Sequence, residues 1–105
     1  MANRDVKMIG NKTIEQSEQV ADFIYQRNTS YPELLPKLIK QIMLYTELII
    51  SAGATLPDFT ENMTTWSECL GKLTQSVEAH DDILTADILH YEIVPAIEKW
   101  VESAS

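Results

Sequence analysis

The chain has 105 residues, of which 45% are hydrophobic and 23% are charged, an ordinary composition for one globular domain with its own core. Three glycines and four prolines are too few for the many turns of a β-sandwich or β-barrel. A formal net charge of −8 excludes the basic footprint that binding to nucleic acid or to an anionic membrane surface requires.

The N-terminal region predicts an arm followed by a helix. Residues 1–11 show no clear hydrophobic period and are expected to form a flexible arm, while residues 12–105 are expected to form a single domain. Thr13 and Gln16 have the spacing of a capping box. Apolar side chains then recur at helical spacing, which predicts a first helix over residues 13–28.

The second helix is expected to begin in residues 30–33, where Ser30 and Glu33 have the spacing of a capping box. From Pro36 it is expected to run to Ala52, because Gly53 is a suitable C-terminal stop. Residues 31–35 form either a separate turn or a bent first turn, since Pro36 lacks a backbone N–H. Apolar side chains cover most of this helix. Such a helix is either central to the fold or also packs on a partner.

The third helix is predicted over residues 59–80, where apolar side chains recur at alternating steps of four and three residues. The members of this pattern are Phe59, Met63, Trp66, Leu70, Leu73, Val77 and His80. Extending the pattern further would place Asp87 in the core. The phase of the pattern therefore favours a tight turn at Asp81 and Asp82, with Asp82 as N-cap, although one continuous helix remains an alternative.

The fourth helix begins after this turn, and Pro95 is expected to kink it near Tyr91. Four helices with short connections predict an all-α, antiparallel up-and-down four-helix bundle. No internal repeat is visible in the sequence.

The net negative charge of the chain comes entirely from its second half. Residues 1–53 contain six acidic and six basic side chains, whereas residues 54–105 contain ten acidic side chains and only Lys72 and Lys99 as bases. This half either forms a solvated acidic face or steers the protein toward a basic partner.

The lone cysteine, Cys69, cannot form an intramolecular disulfide, which suits a reducing compartment. The N-terminal residues lack the apolar core of a signal peptide. We therefore expect a cytoplasmic protein in which Cys69 has a packing role.

Motifs that carry catalysis or cofactor binding are absent from the sequence. We therefore expect no enzyme activity, no catalytic residues and no cofactor. Asp87 and His90 have the spacing that di-iron bundles use, but those bundles use it twice together with two further carboxylates. Over metal binding we favour a position of His90 at the border of the core and surface or capping hydrogen bonds for Asp87.

The fourth helix is apolar on two sides. Its core side is predicted to contain Ile83, Ala86, Ile93 and Ile97. Apolar residues also lie on the opposite side at helical spacing, and with two residues of the second helix they form the candidate interface: Leu84, Ile88, Tyr91, Pro95, Leu44 and Leu48. Exposed apolar strips rimmed by charge often mark interfaces. The alternative is a central helix that is covered on both sides.

Residues 87–100 carry the pattern D-x-L-x-Y-E-x-x-P-x-x-E-x-W. This ending resembles that of small, uncharacterised bacterial all-helical proteins without an assigned activity. The resemblance covers the last quarter of the chain, implies a bacterial cytoplasmic protein and supports the fourth helix.

These observations favour a non-enzymatic protein–protein interaction module, which binds either a second copy of itself as a homodimer or another protein. One alternative is a helical chaperone or immunity-type protein that sequesters a single partner. A second alternative is a small metal- or ligand-binding bundle.

Overall fold

A computed structural model describes residues 2–29 and 31–104 of the chain; Met1, which belongs to the predicted arm, lies outside them, as do Ser30 and Ser105. The described residues form helices and their connections, without a strand. The elements in chain order are α1 (Ala2–Tyr25), α2 (Tyr31–Ala52), a 3-10 turn (Gly53–Thr55), α3 (Phe59–Glu78), α4 (Asp82–Ile88), a π turn (Leu89–Ile93) and α5 (Val94–Ser103). We call α4, the π turn and α5 together the C-terminal rod, because they follow one another without a break. The predicted all-α four-helix bundle is confirmed.

Hydrogen bonds between helices fix their directions. The Tyr45 hydroxyl on α2 donates to the carbonyl of Val6 on α1 over 3.1 Å, and Gln41 Nε2 donates to Thr13 Oγ1 over 3.3 Å. Rising residue numbers on α1 therefore meet falling numbers on α2, so that the two helices are antiparallel.

The C-terminal rod is antiparallel to both of the helices that it packs against, α3 and α1. Against α3, Thr85 Oγ1 donates to Ser76 Oγ over 2.9 Å, and Asn62 Nδ2 donates to Ser103 Oγ over 3.3 Å. Against α1, the residues that meet likewise run in opposite order. The helix α1 thus lies between α2 and the rod, and α3 packs on the rod's other side.

The first helix begins at Ala2, which corrects the predicted flexible arm over residues 1–11 and the predicted start at residue 13. Val6 is fully buried, and the buried face continues through Gly10, Thr13 and Ser17. These positions have helical spacing, but three of them are not apolar, so that the hydrophobic pattern is weak where the helix is well packed. The helix ends before Arg27, which has a left-handed φ of 57°.

The second helix begins at Tyr31 and includes Pro36 within it, so that residues 31–35 are not a separate turn. It meets α3 mainly through large side chains, and the two backbones approach closely at few points. The rings of Tyr45 and Trp66 meet edge to face with centroids 6.3 Å apart. Trp66 Nε1 also donates to Thr46 Oγ1 over 2.9 Å. The contact between α2 and α3 is therefore a wide one, filled by aromatic rings.

The predicted break between the third and fourth helices is confirmed. The third helix ends at Glu78, and His80 has a left-handed φ of 54°. The N-cap is Asp81 and not the predicted Asp82, because Asp81 Oδ1 accepts the backbone N–H of Leu84 over 3.1 Å. Without Gly or Pro at the break, the phase of the apolar pattern was the signal that located it.

The C-terminal rod contains a π turn where a proline kink was expected. The N–H of Val94 donates to the carbonyl of Leu89, five residues back, and Pro95 follows without an N–H of its own. A π turn holds one extra residue, which rotates the next helix by about 100° relative to a continuous α-helix. This rotation brings the buried residues of α4 and α5 to one common face.

The same rotation corrects two predicted positions. Ile83, expected in the core, is 54% exposed, and Ile88, expected on the opposite side, is only 4% exposed. The sequence prediction assumes one uniform helical spacing through residues 83–101, whereas the buried residues before and after the π turn follow two different helical phases. With the π turn included, α4 buries Thr85, Ala86 and Ile88.

Candidate interaction surface

The predicted interface residues of the C-terminal rod divide into exposed and buried ones. Leu84 is 46% exposed and Tyr91 is 68% exposed, and Pro95 is also exposed. Ile88 belongs to the core, for the reason given above. The rod therefore presents three of its four predicted side chains to solvent.

The two predicted residues on α2 do not join this surface. Leu44 is 52% exposed, whereas Leu48 is half-buried and packs against the core. Because α1 lies between α2 and the rod, the structure does not bring Leu44 and Leu48 together with Leu84 and Tyr91.

A groove of about 370 Å³ runs between α3 and the rod. Its lining is mostly apolar, and Leu84, Ile88 and Ala79 contribute to it. An ion pair between Lys72 Nζ and Glu92 Oε1, 2.7 Å apart, also lies there. Ile88 therefore lines the groove together with the exposed Leu84, although Ile88 is itself buried.

On its other flank, the rod meets α1 through polar contacts. The Tyr25 hydroxyl donates to Asp87 Oδ1 over 2.5 Å, and His90 Nδ1 lies 2.8 Å from Glu18 Oε1. The His90 ring also packs edge-on against Tyr91, with centroids 4.6 Å apart. Two exposed tyrosines and a carboxylate are therefore gathered on this flank, and we call Tyr25, Asp87 and Tyr91 the tyrosine surface.

The Tyr25 hydroxyl keeps its proton through the neutral range. Desolvation and the hydrogen bond to Asp87 raise the pKa of Tyr25 to about 12, and electrostatic interactions with Asp87, Tyr91 and Glu18 contribute to the same shift. Tyr25 is therefore a neutral donor beside an acceptor carboxylate.

Asp87 and His90 bind different partners on α1, namely Tyr25 and Glu18. Within residues 2–29 and 31–104, no group of three or more His, Cys, Asp or Glu side chains is arranged to hold a metal ion. Both side chains therefore connect the rod to α1.

Cys69 is buried against the rod, where its Sγ donates to the carbonyl of Glu92 over 3.8 Å. Burial, followed by the charge of Glu92, raises the pKa of the thiol. The reactive thiolate is therefore disfavoured, in keeping with the packing role predicted for Cys69.

Several exposed residues were missed by the sequence analysis. Tyr25 meets Asp87 across 62 positions of the chain, and no local pattern signals such a contact. Met43 and Ile50 on α2 are also exposed; here the apolar character around most of the helix was an available signal.

No helix among the described residues is both long enough and apolar enough to cross a membrane. The fold and the surface together define a small all-α bundle with a partly apolar, partly acidic exposed face. The chain belongs to a family known as a domain of unknown function, DUF8042, whose model matches residues 6–103. No curated protein and no solved structure is similar enough to this chain to match it.

Proposed function

We propose that the protein is a non-enzymatic protein–protein interaction module that binds its partner with the solvent side of the C-terminal rod. One observation carries the proposal. The inner side of this rod already completes the core with Leu89, Ile93 and Ile97, all fully buried, yet Leu84 and Tyr91 remain largely exposed on its outer side.

Exposed apolar side chains in one region cost solvation free energy, and such regions often serve as binding sites. Tyrosine is enriched at the centres of interfaces because its ring is rigid and its hydroxyl forms hydrogen bonds. The adjacent groove between α3 and the rod offers apolar walls to a helix of the partner. Leu84 belongs to both the groove and the exposed side.

The proposed partner is another protein, and the proposed compartment is the bacterial cytoplasm. The single cysteine supports a reducing compartment, and the C-terminal pattern supports a bacterial source. A homodimer through the same surface is the other form that the proposal takes.

Affinity capture from the native cell, combined with light scattering, tests this function. We expect Leu84→Glu to abolish capture of the partner, or to convert a dimer into a monomer, because it places a charge in the apolar surface. Met43→Glu is the matched control, since Met43 is also exposed, at 63% against 46% for Leu84, but lies on α2. Circular dichroism would establish that both variants fold.

The proposal is contradicted if the wild-type protein is monomeric and captures the same proteins as Leu84→Glu. It is also contradicted if Met43→Glu is the variant that loses binding. The binding surface would then lie on α2.

A further inference from the structure

We infer that the partner presents a cationic side chain, arginine by preference, to the tyrosine surface formed by Tyr25, Asp87 and Tyr91. This inference rests on the proposed function and names the chemistry of the partner. The positive charge of the partner would bind on the flank of the C-terminal rod that faces α1.

The geometry provides both parts of a site for a cation. Tyr25 is 40% exposed, and Tyr91 offers the most exposed aromatic ring of the described residues. Asp87 uses Oδ1 to accept from Tyr25, and within the described part of the chain its Oδ2 has no hydrogen-bond donor. An acceptor oxygen therefore remains available beside two aromatic rings.

The charges on this flank are mostly negative. Glu18 and Asp22 lie on the adjacent turns of α1, on the same side as Tyr25 at i, i+4 and i+7 spacing. His90 on the rod is paired with Glu18, and Arg27, just after α1, lines a cavity with Asp82 and Ile83 at the start of the rod. Lys72, on the groove side of the rod, is likewise paired with Glu92. The field at the tyrosine surface consequently attracts a cation and repels an anion.

Arginine matches this site better than lysine does. Its planar guanidinium stacks on aromatic rings and donates several hydrogen bonds at fixed angles to a carboxylate. The bond from Tyr25 holds the Asp87 carboxylate in place, and the raised pKa of Tyr25 keeps that donor neutral. A basic segment that also carries apolar residues would meet Leu84 at the same time.

The test uses two synthetic amphipathic peptides of leucine and arginine, in one of which citrulline replaces every arginine. Citrulline keeps the shape of arginine but carries no charge. By calorimetry at physiological salt we expect the arginine peptide to bind about tenfold more tightly than the citrulline peptide. A lysine peptide should bind with intermediate affinity.

Variants of the protein then locate the site. Tyr91→Ala and Asp87→Asn should each weaken binding of the arginine peptide about fivefold or more, and Tyr91→Phe should restore most of the loss because it keeps the ring. The double variant Glu61→Gln, Glu68→Gln is the control, since it removes two charges from the exposed side of α3. We expect this control to weaken binding less than about twofold.

Two results would overturn the inference. Equal binding of the arginine and citrulline peptides would show that the charge is not recognised. An equal loss in the α3 control and in Asp87→Asn would show only general attraction to an acidic protein.

The outcomes for the two proposals are separable. If Leu84→Glu abolishes capture of the natural partner but the peptides show no preference for arginine, the interaction function stands and the cationic partner does not. If the wild-type protein and Leu84→Glu capture the same proteins, the interaction function itself fails. If the partner were a second copy of this chain, light scattering would show a dimer. That result would contradict the inference that the partner is a cationic segment of another protein.

Discussion

The two flanks of α2 differ in how closely its neighbours approach. Toward α1 the contact involves small side chains, since α1 presents Gly10, Thr13 and Ser17 on its buried face. Toward α3 the contact is filled by Tyr45 and Trp66, and the backbones stay apart. The distance between packed helices follows the side chains at the contact. The bundle therefore combines a narrow contact and a wide one, and different substitutions should damage each.

The largest expected effect comes from emptying the wide contact. Trp66→Ala removes a fully buried ring together with its hydrogen bond to Thr46, and should lower the free energy of unfolding by about 3–5 kcal/mol. Urea denaturation measures this change. Trp66→Phe keeps a ring against Tyr45 and should cost less. A loss below about 1 kcal/mol in Trp66→Ala would show that α2 and α3 do not depend on this ring.

The next effect comes from filling the narrow contact. A Cβ on Gly10 would lie 2.6 Å from the Tyr45 hydroxyl oxygen and 2.7 Å from Val101 Cγ2. Gly10→Ala should therefore destabilise the fold by about 1–3 kcal/mol, although alanine is the better helix former.

Gly71→Ala is the matched control for this prediction, because a Cβ there would meet nothing within 4 Å. It should stabilise the fold by up to about 1 kcal/mol through helix propensity alone. Thermal unfolding of both variants gives the comparison. If Gly10→Ala were as stable as Gly71→Ala, the helices at Gly10 would have room that the structure does not show.

The smallest effect concerns a buried hydroxyl in the narrow contact. Ser17 is fully buried, and its Oγ has no hydrogen-bond partner among the described residues. Ser17→Ala should therefore stabilise the fold by about 1 kcal/mol, because it removes an unsatisfied polar group. Ser76→Ala is the contrast, since Ser76 Oγ donates to the Leu73 carbonyl and accepts from Thr85. Chemical denaturation should show opposite signs for the two variants, and equal signs would contradict the assignment.

The sequence predicts the fold well where core residues are apolar and their spacing is uniform. The break before Asp81 follows from the phase of the pattern on α3. The start of α1 was placed too late, because Gly10 and Thr13 occupy core positions without apolar side chains. A narrow contact thus removes the very signal by which sequence analysis finds a helix.

The candidate surface was predictable in part. Leu84, Tyr91 and Pro95 are exposed as the pattern indicated. The predicted position of Ile88 was wrong, because one helical phase was applied to both sides of the π turn, and Ile88 lies before that turn. The pairing of Tyr25 with Asp87 depends on how α1 lies against the rod. That arrangement is set by the whole bundle and leaves no local trace in the sequence.

The π turn over Leu89–Ile93 makes the number of residues in this segment as important as their identity. Deleting a polar residue there, such as His90, would restore an ordinary α-helix with an unchanged apolar composition. The rings of Trp100 and Phe59 lie with their centroids 5.8 Å apart. The deletion would also turn α5 relative to α4, so that Trp100 could not face Phe59 while Thr85 still met Ser76. A related chain that lacked this residue would need its apolar positions after Pro95 redistributed around the helix in order to close the same bundle.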